Sequence, residues 1–282
     1  MNFFTATPES QREFYDQGYV LVRNLFLQDE ITMLSRYARA DQQVAARATS
    51  RTDASGGTTT LALSNELEDN LYSAVVRSRR VANNMATLLG DEVYHYHHKM
   101  MLKEPFVGGA WEWHQDYGYW YNNGCLFPLM ASVMVALDRC TKENGCLQVL
   151  KGSHHLGRID HGLMEGQQVG ADPKRLDEIL KRMEIVYAEM EPGDGLFFHC
   201  NTLHRSDQNR SPDRRWTMLF CYNAARNNPY REHHHPMYTP LVKVDDDAIK
   251  TAGLKFAAGA EERFLNQPFA PPDLKAKIEN LS

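Results

Sequence analysis

The spacing of hydrophobic positions changes near residue 90. Before that point apolar residues recur at intervals of three to four, for example at Ile31, Leu34 and Ala38, which is the spacing of a helix with one buried face. The pattern predicts three helices, over about 8–17, 29–46 and 66–89. The polar segment 47–60, RATSRTDASGGTTT, is rich in turn-forming residues and predicts a mobile loop.

Beyond residue 90 the hydrophobic runs are short and turn residues separate them. These runs predict six strands, at 93–102, 131–137, 147–149, 185–189, 195–199 and 216–222. One further strand, at 19–22, is expected between the first two helices. Short strands in this arrangement are typical of a jelly roll or barrel rather than of a parallel βαβ sheet.

We therefore predict an α+β fold. One domain is expected to span residues 1–282, with a helical part (1–90), a jelly-roll core (about 91–223) and a C-terminal extension (224–282). Within the core, residues 158–182 are predicted to form a lid with a short helix near 176–183.

Composition narrows the functional classes. The chain has 282 residues, of which 43% are hydrophobic and 24% charged, and its formal net charge is −5. This charge gives no reason to expect nucleic acid or an anionic membrane as a partner. The N-terminal residues do not resemble a signal peptide, and no apolar run approaches the length of a membrane span. The five cysteines lack the spacing of a zinc site or disulfide framework, so a cytoplasmic protein with reduced thiols is expected.

His114 and Asp116 stand in a run of aromatic residues, WEWHQDYGYWYNNG (111–124). On a strand, side chains two residues apart point to the same face, so this pair would offer an imidazole and a carboxylate to one point. His204 is the candidate for a third ligand. Arg215 follows eleven positions later (215 − 204 = 11), at the start of an apolar strand that would return it to the same place. Two histidines and a carboxylate are the ligand set of non-heme Fe(II) oxygenases, whereas a zinc hydrolase would not need the arginine.

At these residues the chain resembles the phytanoyl-CoA dioxygenase family of Fe(II)- and 2-oxoglutarate-dependent oxygenases. The resemblance covers about residues 9–223 and is strongest in three blocks: WHQDYGYW (113–120), ENGCLQVLKGSHHLG (143–157) and PGDGLFFHCNTLHRSDQNRSPDRR (192–215). The family pattern has a serine two positions and an arginine eleven positions after its second histidine. Ser206 and Arg215 occupy these places.

The resemblance implies a double-stranded β-helix, a cupin-like form of jelly roll, and a reaction that uses Fe(II), 2-oxoglutarate and O2. It implies that Fe(II) is bound by His114, Asp116 and His204. It also implies that Arg215, helped by the hydroxyl group of Ser206, binds the distal carboxylate of 2-oxoglutarate. The presence of Asp116 favours hydroxylation, because related halogenases lack this carboxylate.

Two further cosubstrate contacts follow from the same resemblance. Lys103 lies near the place where the family often has a basic residue that reaches 2-oxoglutarate, and Lys99 competes for this role. Trp120 matches a position that commonly flanks the cosubstrate. Some relatives have an asparagine where this chain has Met101.

The candidate substrate contacts lie close to the metal ligands in sequence or in the lid. Tyr117 and Tyr119 follow the His-x-Asp motif, where similar enzymes line the mouth of the pocket. Asn201 could point a polar group inward. Arg158 and His161 open the predicted lid, and lids carry specificity in this family.

Other residues have a structural interpretation. Trp111 and Trp113 are expected to pack in the core. His199, the rival of His204 as a ligand, lacks the serine and arginine offsets and is expected to be a hydrogen-bonded core histidine. The triplet His233–His235 could bind a metal, but a solvated or subunit-contact role is commoner for such a segment.

The sequence thus predicts an Fe(II)- and 2-oxoglutarate-dependent dioxygenase that hydroxylates an unactivated carbon of a small metabolite. Aromatic walls with polar groups around them favour a polar or zwitterionic substrate, such as an aminophosphonate or an amino-acid derivative. An acyl-CoA or natural-product hydroxylase of the same family is the alternative, although no clear basic patch for the phosphates of CoA is visible. A catalytically silent binding protein is a further alternative, which the intact set of candidate site residues disfavours.

Overall fold

The computed structural model describes residues 3–53, 56–164 and 168–266. Its α-helices are α1 (Pro8–Gln17), α2 (Gln28–Ala40), α3 (Gln42–Arg47), α4 (Leu71–Arg77), α5 (Arg79–Leu89), α6 (Tyr117–Trp120), α7 (Pro173–Leu180) and α8 (Asp247–Asn266). Its strands are β1 (Tyr19–Val22), β2 (Ala48–Thr52), β3 (Thr58–Ser64), β4 (Val93–Lys103), β5 (Trp111–His114), β6 (Met130–Ala136), β7 (Leu147–Leu150), β8 (His161–Leu163), β9 (Val169–Ala171), β10 (Ile185–Ala188), β11 (Gly195–His199), β12 (His204–Ser206) and β13 (Arg215–Ala224). No helix in the described ranges is long and apolar enough to cross a bilayer.

Two antiparallel sheets form the centre of the molecule. The larger has seven strands in the order β1-β11-β6-β13-β4-β3-β2, and the smaller has four in the order β10-β7-β12-β5. β8 and β9 form a separate hairpin. The predicted α+β arrangement is therefore confirmed, in that the structure combines large antiparallel sheets with helices.

The central strands of the larger sheet are buried on both faces. Apolar side chains of its inner face, such as Met134 and Phe198, share one hydrophobic cluster with Val149 of the smaller sheet, so the two sheets pack face to face. The alternate positions of the same strands, such as Val133, share a second cluster with Leu34 and other helical residues. A strand buried on both faces is expected to be apolar along its length, as β6 is apart from Ser132.

The predicted loop at 47–60 is wrong for most of its length. Its two sides are β2 and β3, which pair in antiparallel register, and β3 continues the sheet by pairing with β4. Asp53 stabilises the connection, because its side chain and backbone bond the backbone of Gly57. A hairpin at the edge of a sheet keeps one face in contact with water, so its polar composition is compatible with strands.

The long helices predicted over 29–46 and 66–89 are each divided in two. The first is interrupted at Asp41, between α2 and α3. The second begins only at Leu71, capped by Asn70, and breaks at Ser78, whose hydroxyl group accepts from the Val81 N–H and so caps α5. Apolar positions continue on both sides of each break, which is why periodicity alone joined them.

The predicted lid contains the β8–β9 hairpin and α7. This helix begins at Pro173, three residues earlier than predicted, because the Asp172 carboxylate accepts a hydrogen bond from the Arg175 N–H and caps it. The C-terminal extension runs across the helices and ends, in the described part, with α8. The proline-rich end of the sequence, 267–282, lies outside the described residues.

Candidate active site

Three buried side chains meet where the smaller sheet faces the larger one. His114 is the last residue of β5 and His204 the first of β12, and the two are directly paired across these strands. The Nε2 atoms of His114 and His204 each lie 3.9 Å from Oδ1 of Asp116. One ligand atom from each residue falls within 4.8 Å of the others. In the described part of the chain, this is the group of His, Cys, Asp and Glu residues whose geometry suits a metal ion.

The backbone that places Asp116 is helical and not the predicted strand. β5 ends at His114, and Asp116 has helical backbone angles (φ −56°, ψ −39°) at the start of α6. The convergence of His114 and Asp116 therefore comes from a turn and not from alternation along a strand. Ser132 of the larger sheet donates a hydrogen bond to Asp116 Oδ2 (3.2 Å) and so orients the carboxylate.

The two histidines are prepared to bind a cation. The Nδ1 atom of His114 lies 2.7 Å from the carbonyl oxygen of Glu112, and that of His204 lies 2.9 Å from the carbonyl oxygen of Thr202. A carbonyl oxygen only accepts, so the ring proton is on Nδ1 and the lone pair of Nε2 is available. Burial lowers the pKa of both rings, which keeps them neutral. The donor set thus fits a divalent iron site.

Arg215 lies fully buried at the first position of β13. Its guanidinium donates to Thr217 Oγ1 (3.2 Å) and to the carbonyl oxygen of Gly145 (2.8 Å), while its Nε is buried without a partner. Ser206, also buried, ends β12. A buried donor without an acceptor is rare in folded proteins, and here it fits a carboxylate that the guanidinium would bind.

The two competing lysines occupy different places on the inner face of β4. Lys103 is paired with Arg215 across β4 and β13, and its Nζ donates to the carbonyl oxygen of Asp207. Burial, and secondly the charge of Arg215, hold the pKa of Lys103 well below its usual range. An anion bound beside these two groups would relieve that repulsion. Lys99 instead lies at the candidate metal centre, with its Nζ 3.9 Å from Oδ1 of Asp116.

The three aromatic residues after Asp116 have separate surroundings. The Tyr119 ring lies 5.8 Å from that of His114, and its hydroxyl group donates to Val169 of the lid hairpin (2.6 Å). The hydroxyl group of Tyr117 donates to the carbonyl oxygen of Cys125 (2.9 Å). Trp120 packs edge-on against Tyr96 and His97, ring centroids 5.4 and 5.5 Å away. Of the three, Tyr119 is therefore the one with a ring beside a metal ligand.

The remaining candidate contacts lie where the lid meets the site. The Nε2 of His161 accepts the Gln115 N–H (2.8 Å) and its Nδ1 donates to the carbonyl oxygen of Ile159 (2.7 Å), so both ring nitrogens are used within the protein. Arg158 pairs with Asp160 and lies over the ring of Tyr121.

Asn201 is nine-tenths buried, and its side-chain Oδ1 has no partner. That polar atom is thus available to a ligand.

Gln115, between the two ligands of the motif, is a positioning residue that the sequence analysis missed. Its side-chain amide donates to the carbonyl oxygens of Gly157 (2.8 Å) and Asn201 (2.7 Å) and accepts from the Ile159 N–H (2.7 Å). It therefore fastens the base of the lid to the strand that carries the metal ligands. Its place inside the His-x-Asp motif was the available signal, but its partners lie far away in sequence.

Several structural interpretations are confirmed. Trp113 packs in a buried apolar cluster with Leu150 and Leu203, as expected. Trp111 differs from the expectation, because it is only half-buried and its ring lies 6.1 Å from that of His114. His199 packs against Phe14 and His154, outside the candidate metal centre. Of the C-terminal triplet, His233 and His234 are exposed as expected, but His235 is buried, because its ring stacks on His97.

Known proteins resemble this chain over most of its length. The family model for phytanoyl-CoA dioxygenase (PhyH) matches residues 14–217. The chain is 30% identical over 201 residues to L-proline trans-4-hydroxylase of Streptomyces griseoviridis, covering 64% of this chain and 75% of the relative. It is 27% identical over 233 residues to ectoine dioxygenase of Stutzerimonas stutzeri, covering 78% and 77%. The fold resembles that of EctD from S. alaskensis, solved with 2-oxoglutarate and 5-hydroxyectoine, with a TM-score of 0.73 at 24% identity over 85% of this chain and 88% of that one.

Proposed function

The chain belongs to the phytanoyl-CoA dioxygenase family and is an Fe(II)- and 2-oxoglutarate-dependent dioxygenase, and from this premise we propose that it hydroxylates a carbon of a small, polar or zwitterionic metabolite. The observation that carries the proposal is the pairing of the buried His114, Asp116 and His204 triad with a buried Arg215 whose Nε has no partner. Together they offer one site for a metal ion and another for a carboxylate.

Each group has a defined role in this proposal. His114 and His204, through Nε2, and the carboxylate of Asp116 would hold Fe(II), and Arg215 with Ser206 would bind the distal carboxylate of 2-oxoglutarate. When bound, iron and 2-oxoglutarate supply the oxidising chemistry: the substrate C–H, 2-oxoglutarate and O2 are converted into the alcohol, succinate and CO2. The fold we infer for the paired sheets is a double-stranded β-helix within a single domain.

The protein's own contribution is orientation and the exclusion of water. The carbonyl oxygens of Glu112 and Thr202 fix the ring tautomers, and Ser132 orients the Asp116 carboxylate. Gln115 ties the lid to the metal-bearing strand, so the lid is placed to cover the reacting groups. At Arg215 the neighbouring Lys103 adds positive charge for the cosubstrate, whereas Lys99 acts beside the metal.

A small polar substrate is supported by the surroundings of the metal centre. Relatives of this chain are named for proline and ectoine, both compact molecules. Near the ligands, Tyr119 and His161 approach each other with their ring centroids 5.6 Å apart. We propose these two rings as walls of the substrate pocket, with Tyr117, Asn201 and Arg158 farther out, and Trp120 beside the space that substrate and cosubstrate share. The expectation of a cytoplasmic enzyme stays a prediction and agrees with five buried, unpaired cysteines.

Two measurements test the proposal. Under anaerobic conditions, addition of Fe(II) and 2-oxoglutarate to the full chain should produce a visible metal-to-ligand charge-transfer band. In air, screening of amino acids, cyclic solutes and aminophosphonates should identify compounds that stimulate succinate release. The enzymatic proposal would be rejected if the band is absent and if no succinate forms, either with any tested compound or with 2-oxoglutarate alone.

A further inference from the structure

β4 contains an irregularity at the end that lies away from Arg215. Along β13, Cys221 is paired with His97 but the next residue, Tyr222, is paired with His95, so Tyr96 is an extra residue on β4. A bulge of this kind turns a side chain that would otherwise point to the opposite face. As a result, both Tyr96 and His97 contact Trp120 inside the molecule.

The ring of His97 has an unused nitrogen in this interior. The residue is 3% exposed, and its Nδ1 is buried with no hydrogen-bond partner. Every other histidine discussed above at the metal centre or in the lid has its Nδ1 bonded to a carbonyl oxygen. An unsatisfied buried ring nitrogen is costly in a folded protein unless a ligand satisfies it.

The C-terminal extension holds His97 in place. The ring of His235 stacks on that of His97 with centroids 4.8 Å apart and an interplanar angle of 28°. Nδ1 of His235 lies 2.9 Å from Oδ1 of Asn65, and the amide of Asn65 donates to the carbonyl oxygen of His234 (2.8 Å). This segment is thus fastened to the end of β3 and covers His97 from outside.

Besides burial, the groups that lower the pKa of His97 are Lys99 and the rings of His235, His95 and His98. Burial lowers the pKa of these three histidines as well, which favours their neutral form, so the positive charge near His97 comes from Lys99. Lys99 lies two residues along the same strand, and its Nζ is 3.9 Å from the Asp116 carboxylate. It therefore bridges the distance between His97 and the metal centre, and an anion at His97 would meet positive charge.

The position of His97 also separates it from the cosubstrate site. Lys103, the neighbour of Arg215, lies six residues farther along β4 (103 − 97 = 6), which is about 20 Å on an extended strand. Lys99 and the candidate metal centre lie between the two. A molecule that reaches from the metal toward His97 would therefore occupy the end of β4 opposite to Arg215 and would leave the cosubstrate site free.

We propose that His97 and Lys99 bind an anionic group of the substrate, a carboxylate or a phosphonate, with His235 as the positioning residue that fixes the His97 ring. The assignment of the anion to the substrate rests on the proposed function, whereas the anion site itself is defined by the side chains alone. His97 supplies the N–H donor and Lys99 the charge. The remainder of the substrate then extends toward the metal and Tyr119.

Calorimetric titration of the full chain with methylphosphonate, acetate and methylammonium tests the site directly. We expect one or both anions to bind saturably and methylammonium not to bind. The His97→Phe variant, which keeps a ring but loses the donor, should weaken anion binding by about tenfold or more, whereas His97→Asn should restore a donor and most of the affinity. His234→Ala, which alters an exposed neighbour, should change the affinity by less than about twofold.

The role of His235 has its own pair of variants. His235→Phe keeps a stacking ring and should retain most of the anion affinity, while His235→Ala should lose it. If both variants lose the affinity equally, stacking is not the reason for the effect and the positioning role is rejected.

Further outcomes would overturn the anion site. These are no saturable anion binding by the unaltered protein, equal binding by the His97→Phe and unaltered proteins, or binding of methylammonium in place of the anions. A His97→Phe variant that weakens 2-oxoglutarate, measured by the anaerobic charge-transfer band, as strongly as it weakens methylphosphonate would assign His97 to the cosubstrate. Repeating the calorimetry on metal-free protein separates the two proposals: failure of the band rejects the enzyme, while His97-dependent anion binding still supports the site.

Discussion

The two ends of the space between the sheets are built in different ways. At one end Arg215 and Lys103 are paired across β13 and β4 of the larger sheet, and Ser206 comes from β12 of the smaller sheet, nine positions before Arg215 (215 − 206 = 9). At the other end His97 comes from a bulge and His235 from a segment 138 positions later (235 − 97 = 138). The pairing of Arg215 with Lys103 is regular within one sheet, whereas the second end depends on an irregular strand and a distant segment.

This difference has a chemical counterpart. A cosubstrate that is the same for every member of a reaction class suits a site fixed by the sheet itself. A substrate that differs among relatives suits a site in which a bulge and a C-terminal segment can be altered without disturbing strand pairing. The metal ligands stand between the two ends, so changes at the three places should have separable effects.

Loss of the central carboxylate should have the largest effect, because it removes one of the three candidate ligands of the metal ion that turnover requires. Asp116→Ala leaves two neutral imidazoles as ligands, and we expect iron binding to be lost and turnover to fall by about a thousandfold or more. Metal content after anaerobic reconstitution and succinate release measure this. Asp160→Ala, an exposed lid carboxylate, is the control and should change turnover by less than about twofold. Retention of stoichiometric iron by Asp116→Ala would remove it from the ligand set.

Removal of the guanidinium should affect one end alone. Arg215→Leu deletes the buried donor proposed for the distal carboxylate, and we expect the affinity for 2-oxoglutarate to fall by about a hundredfold. Titration of the charge-transfer band gives this affinity, and calorimetry gives that for methylphosphonate, which should stay nearly unchanged. The exposed neighbour provides the control, Arg214→Leu. A comparable loss of methylphosphonate binding in Arg215→Leu would show that the two ends are one site.

The sequence predicted the regular end of the site better than the irregular one. The offsets that link His204 to Ser206 and Arg215 are carried by consecutive strands, so spacing along the chain translates into proximity. The bulge at Tyr96 leaves no mark in the pattern, because the residues on both sides of it are buried. The burial of His235 likewise depends on a hydrogen bond to Asn65, 170 positions away, which no local pattern reveals.

The errors in the fold have similar causes. The β2–β3 hairpin was predicted as a loop because an edge hairpin tolerates a polar composition, and the break at Ser78 was missed because Val75 and Val81 are buried on both sides of it. Asp116 was placed on a strand that ends two residues earlier. At Ser78 a local cap overrides the continuing apolar pattern, and at the hairpin the pairing of β3 with the distant β4 draws a polar segment into the sheet.

A change at the lid should affect turnover more than binding at the Arg215 end. A Cβ atom on Gly118 would lie 2.4 Å from the ring of His161, so Gly118→Ala must displace the lid hairpin. We expect kcat to fall by about tenfold to a hundredfold through misplacement of the groups that the lid covers. Gly162→Ala is the matched control on the same hairpin, since its Cβ would meet nothing within 4 Å. A Gly118→Ala enzyme with unaltered kcat would mean that the lid does not shape the reacting geometry.

The smallest effect is expected at Ser206, and it tests how far the Arg215 end extends. Ser206 is buried at the end of β12, and its hydroxyl group is proposed to assist the guanidinium. Loss of one such hydrogen bond in Ser206→Ala should weaken 2-oxoglutarate by about fivefold, which corresponds to about 1 kcal/mol. The charge-transfer titration resolves a change of this size, and the methylphosphonate affinity serves as the internal control. A loss as large as that of Arg215→Leu would make the serine an equal partner in carboxylate binding. A change in the methylphosphonate affinity alone would assign Ser206 to the His97 end of the site.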